Sequence, residues 1–91
     1  MANEQGAVLS AGSLASGADS DQRVLAAAQA YRLTRRQTEV LLHVSNGRAN
    51  KEIAEALGCA EVTVESHMTK LLRKVGVETR GRLISHLWLT F

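Results

Sequence analysis

The side chains best suited to recognition chemistry fall between Glu61 and Lys74. Glu65, Ser66, Thr69, Lys70, Arg73 and Lys74 recur on one side of a helical pattern. Val64, Met68, Leu71, Leu72 and Val75 occupy the other side, at i, i+4, i+7, i+8 and i+11. Ser66 and Thr69 are small enough to approach a planar partner such as a base edge. Lys70, Arg73 and Lys74 are cations suited to phosphates. Taken from composition alone, that face fits a plain solvated surface better. Covalent chemistry has little support. No nucleophile with a matching base emerges, so an enzyme is not expected. Cys59 is the only thiol and no close histidine pair accompanies it, so neither zinc nor another cofactor is expected.

The elements around this face must aim it. Asn50 can cap a short helix from Lys51 to about Leu57, with Ile53, Ala54 and Leu57 on its buried side. Gly58 then suits a sharp turn at positive φ. A longer helix follows from about Glu61 to Val75, closed by Gly76. The stretch Asn50 to Val75 is therefore a helix-turn-helix signature. Upstream, Thr34 and Gln37 have capping-box spacing, Leu33 can staple the first turn, and Val40, Leu41 and Val44 face inward. Asn46-Gly47 ends that helix. Downstream, Thr79 caps a last helix from Arg80 to about Leu89, whose apolar set is Leu83, Ile84, Leu87 and Trp88. That set fits a core, a dimer interface or both.

The N-terminal third is plainer. Residues 1–19, rich in Gly, Ala and Ser, read as a flexible tail or linker. Residues 20–32 allow a further helix, capped by Ser20 or Asp21, with a thin stripe of Val24, Ala27, Ala28 and Tyr31. A stripe so short of methylenes must pack on something else. The main domain is expected at 33–91.

Ninety-one residues without proline, and rich in Ala, Leu and Val, favour one small all-α domain. A core of that size gains from a partner subunit. The formal charge of +2 is uneven: residues 1–33 sum to −1 and residues 34–91 to +3. The second part is thus compatible with a polyanion. No apolar run approaches the roughly 18 residues that cross a membrane. No secretory leader is visible, and the lone cysteine suits a reducing compartment. A soluble, cytoplasmic, bacterial, nucleoid-associated protein is the expectation.

Four blocks now combine. LTRRQTEVL, NGRANKEIAEALG, TVESH and KVGVETR keep an order and spacing that resemble the LuxR-type (FixJ/NarL/GerE) DNA-binding domain, over about residues 33–89. The resemblance implies a four-helix domain whose third helix, about 61–75, enters the DNA major groove. It implies sequence-specific transcriptional regulation, usually by a homodimer paired through the fourth helix, here Leu83, Ile84, Leu87 and Trp88. Positions matching Glu65, Ser66 and Thr69 would face base edges. Positions matching Asn50, Lys51, Thr63 and Lys74 would lie near the phosphates, joined on charge by Lys70 and Arg73. His67 fits a packed, a surface or a phosphate-contacting role, and His43 and His86 fit the surface.

Two departures stand out. Glu65 replaces a lysine common in the family, which points to a cytosine amino group rather than a phosphate. Ala60 replaces the usual Ser or Asp cap, a loss of about 1 kcal/mol that Thr63 or Glu61 can partly offset, the Glu61 carboxylate through the helix dipole. Two rivals follow. One is a domain like sigma-factor region four, bound to RNA polymerase. The other is a protein-interaction module that pairs with another regulator. Residues 1–32 are too few for a phosphorylated receiver or signal pocket, so a standalone regulator or an output fragment is expected.

Overall fold

The computed structural model describes residues 11–91, with side chains from Asp19 onward, as five helices: α1 (Ala11–Tyr31), α2 (Arg35–Ser45), α3 (Asn50–Leu57), α4 (Glu61–Val75) and α5 (Arg80–Thr90). The all-α expectation holds for these residues. No helix among them is long and apolar enough to cross a membrane.

The helix boundaries follow from local chemistry. Gln37 N–H donates to Thr34 Oγ1 at 3.1 Å, and Thr34 N–H donates to Gln37 Oε1 at 2.9 Å. This reciprocal box opens α2 and satisfies two otherwise orphaned amides. Gly58 (φ 69°) and Gly76 (φ 87°) close α3 and α4 in the left-handed region. Nothing lies within 4 Å of a Cβ added at either, so backbone conformation and not crowding selects glycine there. Arg82 N–H donates to Thr79 Oγ1 at 3.1 Å and starts α5.

One core joins all five helices. It comprises Val24 and Ala27 of α1; Val40, Leu41 and Val44 of α2; Ile53 and Ala54 of α3; Val64, Met68 and Leu71 of α4; and Leu83 and Leu87 of α5. α4 packs against both α2 and α3, which fixes the angle of the helix-turn-helix. Ala54, on the core side of α3, is 5% exposed. A small side chain there lets α3 and α4 approach closely.

The N-terminal expectations need correction. The chain is already helical from Ala11, so much of the expected tail 1–19 shares one element with the further helix at 20–32. Residues 1–10 of that tail lie outside the described residues. Ser20 is no cap: it is buried inside α1. The physical reason is propagation. Once Val24 and Ala27 are packed the nucleation cost is already met, and the alanines and Leu14 of the added stretch favour extension against the cost of Gly12 and Gly17.

α1 packs on α2 and α5. Two polar ties hold it. The Arg23 guanidinium lies 4.2 Å from the centre of the Trp88 ring, and its Nη1 donates to the Trp88 carbonyl at 2.8 Å. Tyr31 Oη and His86 Nε2 are 2.5 Å apart, and Phe91 meets the Tyr31 ring edge-on at 6.0 Å. His86, expected at the surface, is therefore half-buried in an aromatic cluster.

α1 ends at Arg32, whose φ of 54° is left-handed. Leu33 N–H returns to the Ala28 carbonyl at 2.9 Å, and the Arg32 carbonyl is taken up by Lys74.

Candidate nucleic-acid interface

α4 presents two opposed rows. Val64, Met68, Leu71 and Val75 run at i, i+4, i+7 and i+11 into the core, and Val62, Ser66, Thr69 and Arg73 repeat that spacing two residues earlier. Two residues of α-helix turn through roughly 200°, so the second row faces away from the core. All four of its members are exposed, as are Glu65 and Lys70 beside them. Acid stands at the start of α4 (Glu61) and base at its end (Arg73, Lys74), the order the helix dipole favours.

The hydrogen bonding of this face narrows what it can recognise. Thr69 Oγ1 donates to the Glu65 carbonyl at 3.0 Å. Its proton is therefore engaged, and its remaining lone pairs can only accept. The Glu65 carboxylate is also an acceptor when ionised. Exposed amino groups are the natural partners of both side chains. In the major groove these are cytosine N4 and adenine N6.

The expected phosphate contacts divide. Lys51 is exposed in the first turn of α3. Lys70 and Arg73 are exposed on α4, and within the described residues none of the three enters an ion pair. Thr63 is half-buried in the first turn of α4, with its amide donating to the Ala60 carbonyl at 3.0 Å. Lys74 differs from expectation. Its Nζ donates to the Arg32 carbonyl at 2.7 Å and to Gln37 Oε1 at 3.1 Å. The ammonium thus ties α4 to the end of α1 and to the buried glutamine of the α2 box.

Asn50 also differs. Ala49 is the N-cap of α3, and Asn50 is already inside the helix. Glu52 reaches back to the Ala49 amide at 2.8 Å, which completes half a capping box. The Asn50 Oδ1 accepts from Arg80 Nη1 at 2.9 Å, and Arg80 Nη2 donates to the Arg48 carbonyl. Arg80 therefore ties the start of α5 to the start of α3. Sequence reasoning missed it because its partners lie some thirty positions away and no local pattern encodes them.

The apolar set of α5, expected as core, dimer interface or both, divides by burial. Leu83 and Leu87 are core residues, each 2% exposed, because α1 lies over the inner face of α5. Ile84 is half-buried against the core. Trp88, stacked by Arg23, remains 39% exposed, and Leu89 is 86% exposed. Of the four residues expected at an interface, only Trp88 offers much free surface. Cys59 is a half-buried free thiol in the turn between α3 and α4.

This is the geometry of a helix-turn-helix whose second helix turns one face to solvent. The family described as bacterial regulatory proteins, luxR family, matches residues 31–87. The chain belongs to that family. Of the two helix-turn-helix families weighed on sequence, the match is to the LuxR type. Relatives of this LuxR-type chain include "Uncharacterized transcriptional regulatory protein YhcZ" of Bacillus subtilis, 50% identical over 50 residues, which is 55% of this chain and 23% of that protein. "Transcriptional regulatory protein MctR" of Rhizobium johnstonii is 43% identical over 54 residues, 59% of this chain and 25% of that protein. "Glycerol metabolism activator" of Pseudomonas putida is 44% identical over 52 residues, 57% of this chain and 24% of that protein. The chain thus spans about a quarter of the length of these relatives. No solved structure gives a significant match.

Proposed function

We propose that this LuxR-type domain binds double-stranded DNA in a sequence-specific manner and serves a transcriptional regulator. In this reading α4 lies in the major groove. Glu65, Ser66 and Thr69 face base edges, while Lys51, Lys70 and Arg73 hold phosphates, with Thr63 beside them. The observation that carries the reading is the row opposite the core of α4: exposed along its length, small in its middle and cationic towards its C-terminal end. Phosphate neutralisation supplies affinity and the base contacts supply choice. Lys74 and Asn50 act behind this surface, as ties that set the angles of α4 and α3. Two copies would meet through Trp88 and Leu89, the exposed apolar part of α5.

Selection of bound sequences from random duplex DNA tests both parts. A recurring motif should emerge, repeated as inverted half-sites roughly one helical turn apart if copies pair. Glu65→Lys should change the preferred base at one position of each half-site. Enrichment of no motif would sink sequence-specific binding, and an unaltered motif for the lysine variant would remove Glu65 from base readout.

A further inference from the structure

Val62 is unexplained by the fold. It is the second residue of α4, it is apolar, and it is 68% exposed. A lone exposed valine is unremarkable in itself, but this one has a defined position. Val62 precedes Ser66 by four residues, Thr69 by seven and Arg73 by eleven, so it heads the row that faces away from the core. Glu65 follows it by three and lies beside it on the same face. The N-terminal part of a recognition helix is also the part that reaches base edges in helix-turn-helix docking.

From this placement we infer that Val62 is a specificity-determining residue that reads the C5 methyl group of a thymine in the major groove. The inference rests on the DNA-binding reading above and adds a base identity to it. The chemistry is selective. Valine carries no donor or acceptor, so it cannot distinguish bases by hydrogen bonds. The thymine methyl is the one apolar feature that an unmodified base pair displays in the major groove, and apolar side chains are its usual partner. The neighbouring groups agree with an A·T pair at that place. Glu65 and Thr69 offer acceptors, and the adenine paired to that thymine offers its N6 amino group. Cytosine would place a donor and no methyl there, and guanine would set its acceptors against an acidic side chain.

The test uses the 91-residue chain and a duplex carrying the motif it selects. Each thymine of a half-site is replaced in turn by deoxyuridine, which removes the methyl and nothing else. One replacement should weaken wild-type binding by about fourfold, the worth of one methyl returned to water. The Val62→Ala variant should bind the thymine duplex less tightly and should be indifferent to that same replacement. Its helix content and melting temperature should equal or slightly exceed those of the wild type, because the Val62 side chain is mostly in solvent and alanine is the better helix former. If the wild type selects a motif but tolerates deoxyuridine at every thymine, the Val62 assignment is overturned and the DNA reading survives. An equal response of both proteins to the replacement overturns it too. If the wild type selects no motif, the reading face itself is overturned and this inference with it.

Discussion

Ala60 shows how single residues here trade stability against position. Its backbone, with φ of −79° and ψ of 154°, already has the extended shape of an N-cap, yet its side chain can accept no hydrogen bond. Glu61 in the first turn supplies favourable charge but no cap. Ala60→Ser should therefore stabilise the domain by about 1 kcal/mol. Melting followed by circular dichroism should show a rise of roughly 4–8 °C for a domain of this size. An unchanged or lower midpoint would mean that the amides at the start of α4 are already satisfied.

The same scale shows what a sequence can and cannot reveal. The Thr34–Gln37 box, the Gly58 and Gly76 ends and the Thr79 cap were all legible, because each is set by residues within a few positions. The family resemblance places Asn50 and Lys74 near phosphates by the positions they match. Their partners, the Arg32 carbonyl and Gln37 amide oxygen for Lys74 and the Arg80 guanidinium for Asn50, come together only through tertiary packing. An ammonium or amide on a helix surface is equally suited to DNA and to a neighbouring chain end, and local sequence does not distinguish the two.

Among the elements, α1 departs furthest from what its sequence suggests. Its apolar stripe is narrow, yet Val24 and Ala27 are each only 2% exposed. The surface that buries them belongs to α2 and α5. No periodicity within residues 20–32 could report that surface. The same packing makes Leu83 and Leu87 core residues, although an amphipathic terminal helix read alone serves equally as core or interface. The inward faces of α2, α3 and α4 were legible for the opposite reason. The stripes of α2 and α4 are rich in large aliphatic side chains and long enough to show their period, and the short α3 is bounded by clear signals at Gly58 and the following helix.

Arg23 is the polar clasp between α1 and α5. It stacks on Trp88, donates to the Trp88 carbonyl and lies 3.8 Å from Asp19. The ion pair with Asp19 is surface-exposed on one side and contributes little. The stack and the charged hydrogen bond together should contribute about 1–2 kcal/mol. Arg23→Ala should lower unfolding stability by that amount. Because Trp88 is the only tryptophan, its fluorescence reports the contact directly. Emission should move to longer wavelength as the ring gains solvent. Unaltered emission and stability would show that α1 does not rest on this contact.

At the scale of the whole molecule, the charge is modest but directed. Residues 34–91 carry the positive excess. Lys51, Lys70 and Arg73 display theirs without an internal counter-ion among the described residues. The acidic side chains Glu61 and Glu65 stand towards the start of α4 and the cations Lys70 and Arg73 towards its end. A duplex seated on this surface would meet cations from two helices, held at a fixed angle by Ala54, Gly58 and the α2–α4 packing. The fold thus converts a small net charge into a local one, which bulk composition could not reveal.

The most direct test of that account is the salt dependence of DNA binding. The apparent association constant of the wild-type chain for its selected duplex should fall linearly with salt on a double-logarithmic plot. Lys51→Ala and Arg73→Ala should each make that slope shallower by about 0.9, one phosphate contact apiece. Both variants should keep the wild-type base preference. Slopes equal to the wild type in both variants would contradict the account, because the exposed cations would then be surface and not contact.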